Sequence, residues 1–155
     1  MIARYLKYPA VLLVWVGSFT PQLAIAQGEY REVTPEDVLA MKLFHYFTPD
    51  ESVHEPDFKW CFKKKTFVLT ADTGGLPADL QERLLPEGAT AREIRGRWRL
   101  DDKNGRRLIL TDITAKENED EETEFAGRKR VRLPIYRTAP SVIRVGHLQY
   151  VFSIE

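Results

Sequence analysis

Between Glu93 and Ile113 the chain alternates with period two, reverses, and alternates again. Ile94, Gly96, Trp98 and Leu100 fall on one face, and Arg95, Arg97 and Arg99 on the other. That alternation is the mark of a half-buried antiparallel strand. Asn104-Gly105 supplies the reversal, since both residues tolerate positive φ. A two-residue loop there would pair Leu100 with Ile109 and throw Leu108 and Leu110 onto the arginine face. A three-residue loop, Lys103-Asn104-Gly105, pairs Leu100 with Leu108 and Trp98 with Leu110, with Gly105 in the left-handed position. Opposed residues share a face, so this second register gathers the apolar side chains. It sets Arg97 opposite Thr111 and Arg99 opposite Ile109 on the outer side.

The chain starts with the pattern of an export signal. Arg4 and Lys7 precede an apolar run, Ala10 to Phe19, and Ala24-Ile25-Ala26 is a small-x-small cleavage site. The run is shorter than the ~20 residues that span a bilayer, so no membrane span is expected after cleavage. Residues 1–26 are therefore read as a signal peptide and 27–155 as a single mainly β domain, exported to a periplasmic or extracellular location. Removing 26 of the 155 residues leaves 129, enough to bury one core. Lys plus Arg falls from 23 to 21 against 23 Asp plus Glu, a net charge of about −2. A general nucleic-acid binder needs a basic excess, so no nucleic acid is expected as partner. Cys61 is the only cysteine, which rules out an internal disulfide. It reads as buried and inert, with pairing to another chain left open.

Along the rest of the chain, Thr34 can cap a helix that Pro35 starts and Glu36 and Asp37 favour. The spacing of Val38, Leu39 and Leu43 predicts a helix from Pro35 to about Phe44. Thr48-Pro49-Asp50-Glu51 repeats the start pattern, but Pro56 limits it to one turn and a loop. Asp57 to Thr70 reads as a strand pair around the turn Lys63-Lys64-Lys65, with Phe58, Trp60 and Phe62 on one face. Gly74-Gly75 breaks it, and Leu80 and Leu84 mark a short helix from Pro77 to Leu85. The acidic run Glu117 to Glu124 lacks the glycine and ligand spacing of an EF-hand and reads as a solvated hairpin loop. A strand follows from about Lys129 to Arg137, and Pro134 makes it an edge or a bulged strand. Val142 to Val145 and Leu148 to Ile154 form the last pair about a Gly146-His147 turn, with the terminal strand integral to the sheet. The expected fold is mainly β. It is an antiparallel small barrel or strongly curved sheet of about seven strands, with one or two short helices and a helix over one mouth.

No motif here names an activity. Ser52, Ser141 and Ser153 lie in no nucleophile elbow, and His45, His54 and His147 show no metal spacing. No Gly-rich dinucleotide or P-loop pattern is present. No catalytic residue, metal ligand or cofactor is nominated. One polar cluster, Asp50, Glu51, Ser52, His54, Glu55 and Asp57, has the residue types for metal binding or acid–base work. It reads more simply as a polar loop.

Gly96-x-Trp98 opening a strand, within Phe58-x-Trp60-x-Phe62, Phe67-x-Leu69 and Leu108-x-Leu110, resembles small exported lipocalin-like (calycin-like) β-barrel domains of unassigned function. The resemblance covers roughly Phe58 to Glu155. In lipocalins the motif opens the first strand, whereas here two strands and two helices are expected before it. The resemblance implies a barrel closed round an apolar ligand, and an arginine late in the barrel covering the tryptophan. Arg144 is the match by position. Its alternative, pointing outward to solubilise the sheet, stays open. Trp98, Arg144 and Tyr150 are accordingly the candidate ligand-binding residues. The leading function is a non-catalytic exported binding or interaction domain. Its partner would be a small apolar ligand or an envelope protein, the latter met through a strand edge. The alternative is a metal-dependent or hydrolytic enzyme using Asp50 to Asp57.

Overall fold

The structure, a computed structural model, describes residues 32–101, 106–118 and 122–155. These belong to one compact unit, Glu32–Glu155. The expected signal peptide, the Lys103-Asn104-Gly105 turn and the middle of the acidic run lie outside the described residues. Half of the described chain is strand and 11% is helix, arranged as a strongly curled antiparallel half-barrel. In order come α1 (Pro35–Ala40), β1 (Met41–Phe47), β2 (Val53–His54), β3 (Phe58–Phe62), β4 (Thr66–Ala71) and α2 (Ala78–Leu84). Then follow β5 (Glu93–Leu100), β6 (Arg107–Lys116), β7 (Phe125–Ala126), β8 (Arg130–Ala139), β9 (Val142–Val145) and β10 (Tyr150–Ile154). The sheet runs β2-β1-β10-β9-β8-β6-β5-β4-β3, with β7 added to β6. Mainly β is therefore right, but the strands among the described residues number ten rather than about seven.

The central hairpin has the three-residue-loop register. Leu100 pairs with Leu108, Trp98 with Leu110, Arg99 with Ile109 and Arg97 with Thr111. Beyond Arg97 a bulge at Asp112, whose φ is +51°, shifts the pairing so that Arg95 meets Thr114. Gly96 lies opposite that bulge. A Cβ there would come 2.7 Å from the Phe67 ring and 2.8 Å from the Thr111 carbonyl, so only glycine lets the ring lie across the strand.

Three expectations need correction. The first helix ends at Ala40, and Met41–Phe47 is a strand. Thr34 caps that helix as expected, in a reciprocal capping box with Asp37. The run Leu43-Phe44-His45-Tyr46-Phe47 is aromatic and suits a pleated surface, and ladder bonds to β10 override its helical spacing. Second, of the two readings of β8 as an edge or a bulged strand, the bulged one is found, and β8 is an interior strand. Pro134 sits where pairing passes from β6 to β9, and a register shift follows between Arg137 and Ala139. Third, the last turn takes four residues, pairing Val145 with Tyr150. Gly146, His147 and Leu148 all have positive φ there, and Leu148 leaves the sheet face for solvent.

The concave face is filled by side chains. Phe58, Trp60, Phe62, Phe67, Leu69, Leu108, Leu110, Leu133, Ile135, Tyr150 and Phe152 are all buried there. The rings meet edge to face or stacked, with centroids 5.5 Å apart for Trp60–Tyr150, 5.6 Å for Trp60–Phe152 and 6.0 Å for Phe62–Trp98. The two ends of the curl approach through Tyr46 of β1 and Phe58 of β3, 5.5 Å apart. No backbone ladder joins these strands among the described residues. A helix serves each end, not one. α2 adds Leu80 and Leu84 where β10 begins, and α1 adds Val38 where β10 finishes.

Candidate functional site

Alternation on β5 places Trp98 on the inner wall, with 8% of its surface exposed. Its indole Nε1 donates to the Lys63 carbonyl at 2.6 Å, which ties the β5 wall to the turn after β3. The chain from Val33 into α1 runs past the same spot. Together they form a groove of ≈ 470 Å³. Its apolar lining is Val33, Pro35, Trp98 and Leu100, and Lys64, Lys65 and Arg99 bring positive charge to it, against Glu32 and Asp101.

Tyr150 lies elsewhere. It starts β10 at the opposite end of the curl, and its hydroxyl donates to both carboxylate oxygens of Asp79 on α2, at 2.7 and 2.8 Å. Burial pushes its ionisation far above the ordinary tyrosine range, and the Asp79 charge and hydrogen bond add to that. Trp60 and Phe62 stand between Tyr150 and Trp98. The two residues expected to line one pocket are thus joined by packed rings.

Arg144 is on the convex face. Ile143 and Val145 on either side of it are fully buried, so alternation turns Arg144 outward, opposite Val151. Its guanidinium lies over the Phe47 ring, 5.5 Å from the centroid, and its Nη1 donates to the Leu148 carbonyl at 3.2 Å. The stacking on Trp98 implied by the lipocalin resemblance is not formed. His45, beside Phe47, is held below the ordinary histidine range by burial and then by the Arg144 charge. Cys61 is exposed on β3, not buried as expected.

The Asp50–Asp57 segment forms the turn between β1 and β2 and the approach to β3. Ser52 Oγ lies 3.0 Å from His54 Nε2, a nucleophile–base distance. The carboxylate is on the wrong partner, however. Asp50 accepts from the Ser52 hydroxyl at 2.5 Å, from the Ser52 amide at 3.2 Å and from the Thr48 hydroxyl, and these bonds lower its pKa to about 2. A triad needs the carboxylate on the histidine, to set its tautomer. His54 instead stacks on Tyr46 at 5.4 Å. The network holds a turn closed. Among the described residues no three His, Cys, Asp or Glu side chains gather in a way that would hold a metal ion.

A feature that sequence reasoning missed is a notch of ≈ 540 Å³ between α2 and the start of β8, where Arg83, Arg128, Arg130 and Arg132 converge. The Arg128-Lys129-Arg130 run was visible, but which arginines meet depends on where β9 stops. Neither a protein-family model, nor a curated protein, nor a solved structure matches the chain.

Proposed function

We propose that this chain is an exported, non-catalytic binding domain that holds a small apolar ligand bearing an acidic head. The observation that carries the reading is the Trp98 groove, which pairs an apolar lining with Lys64, Lys65 and Arg99. Apolar lining with a few convergent charges is the usual build of a small-molecule site. The resemblance to lipocalin-like barrels supports the reading at the level of a curled antiparallel sheet with Gly96-x-Trp98 on its inner wall. It departs from that pattern in where the ligand sits, because Trp60, Phe62 and Phe152 occupy the concave interior. The export-signal pattern read in residues 1–26 supports a location outside the cytoplasm.

Calorimetric titration with dodecanoate tests the reading. Saturable heat is expected, with affinity reduced about tenfold when Lys64→Gln and Lys65→Gln remove two charges. Dodecanol, which lacks the acid, should bind more weakly than dodecanoate. Absence of saturable heat, or equal affinity of wild type and variant, would remove the groove from consideration.

A further inference from the structure

The notch beside β8 has a backbone origin. In an antiparallel ladder, alternate residues send their N–H and C=O to opposite sides. Ile135 N donates to the Arg106 carbonyl at 2.9 Å, so Ile135, Leu133 and Val131 turn their backbone toward β6. Pro134, Arg132 and Arg130 turn theirs the other way, and the Pro134 carbonyl accepts from Gly146 N at 2.9 Å. Had β9 continued, Leu148, the next residue after Gly146 to turn its backbone toward β8, would have met Arg132. It does not continue, because Gly146, His147 and Leu148 take left-handed conformations and bend the chain away. Among the described residues, the backbone edge at Arg132 and Arg130 is therefore left with no strand beside it.

The side chains at this edge sort by face. Arg130 and Arg132 are exposed on the convex side, while Val131 and Leu133 point inward and line the notch. Arg83 of α2 and Arg128 add two more guanidinium groups, and Arg128 is anchored by its Nε donating to the Glu82 carbonyl at 3.2 Å. Four cations face two carboxylates, Asp79 and Glu82, and Asp79 already accepts from Tyr150. Arg130 and Arg132 have no ion-pair partner among the described residues.

We propose that this notch binds an extended acidic segment of a partner protein by adding it as a short strand to β8. The occupant's pattern follows from the edge. Residues opposite Arg130 and Arg132 share their convex face and would be Glu or Asp, which a guanidinium engages with paired hydrogen bonds. Residues opposite Val131 and Leu133 turn inward and would be apolar. The segment therefore alternates acidic and apolar, the usual division in strand addition, where main chain supplies affinity and side chains supply choice. A non-peptide polyanion could use the arginines but has no amides to pair with the open edge. The site is separate from the Trp98 groove and stands or falls independently of it.

Fluorescence anisotropy with a labelled Glu-Val-Glu-Val-Glu peptide and the full chain tests this. Saturable binding is expected. Arg130→Gln with Arg132→Gln should weaken it about tenfold or more, with far-ultraviolet dichroism unchanged because both side chains are exposed. A second arm leaves the protein unaltered. Methylating the peptide's amide nitrogens that face the edge should weaken binding by a similar factor, and the blocked sequence Glu-Glu-Glu-Val-Val should bind less well. No binding to wild type, equal binding by the arginine variant, or undiminished binding of the methylated peptide would each overturn the proposal.

Discussion

Tyr150 carries two roles in one side chain. Its ring sits among Tyr46, Phe58 and Trp60, and its hydroxyl crosses to Asp79, which pins α2 over the end of the curl. Tyr150→Phe keeps the ring and removes the bond to a charged acceptor, so a loss of about 2 kcal/mol is expected in urea unfolding. An unchanged midpoint would mean that leucine packing alone holds the helix. The inward placement of Trp98 was legible because alternation on one strand suffices to fix it. The neighbours of Arg144 were not. They come from β1, whose strand character was hidden by its mixed spacing, so nothing local announced that Phe47 would lie beneath the guanidinium.

Among the elements, α1 has only six residues and cannot stand on propensity alone. It is held by its cap and by one buried ion pair, Asp37 Oδ2 to Arg137 Nη2 at 2.7 Å, with both side chains 7% exposed. Burial by itself would raise the Asp37 pKa. Hydrogen bonds from Thr34 N–H, Arg137 and the Thr34 hydroxyl, together with the Arg137 charge, outweigh it and bring the pKa below the ordinary value of 3.8. A carboxyl lowered on folding adds stability above its unfolded pKa and loses it as pH falls through the folded value. Asp37→Asn should therefore cost about 3 kcal/mol at neutral pH by removing the carboxylate charge that faces the buried Arg137 guanidinium. The gap between wild type and variant should narrow on acidification below pH 3.8, as followed by denaturant midpoints across pH. A gap that stays constant would place the loss in the cap geometry and not in the charge. Thr34-Pro35 and the acids made the start of this helix readable. Its end was not, because the stop is imposed by β10, far away in sequence.

For the whole molecule, the antiparallel β class could be read from strand alternation, and the hairpin register from opposed apolar residues. The strand count could not. β2, β7 and β1 are short or bulged and exist through partners supplied by other parts of the chain. The proposed export belongs to the same scale. N-terminal sequencing of the exported protein is expected to begin at Gln27, and material still beginning at Met1 would contradict cleavage after Ala26. The pairing of β1 with β10 adds a consequence in time. Lys42 of β1 reaches Glu155, just beyond β10, across 113 residues of chain, and β10 is also the strand against which β9 closes. Contacts that distant slow folding, since the intervening loop must be closed before they form. Until β10 has been synthesised, β1 has only the two-residue β2 beside it and the core rings lack Tyr150 and Phe152. The sheet can close only once β10 is available to both β1 and β9. A protein built in this order stays threadable until β10 joins the sheet, and locks only then.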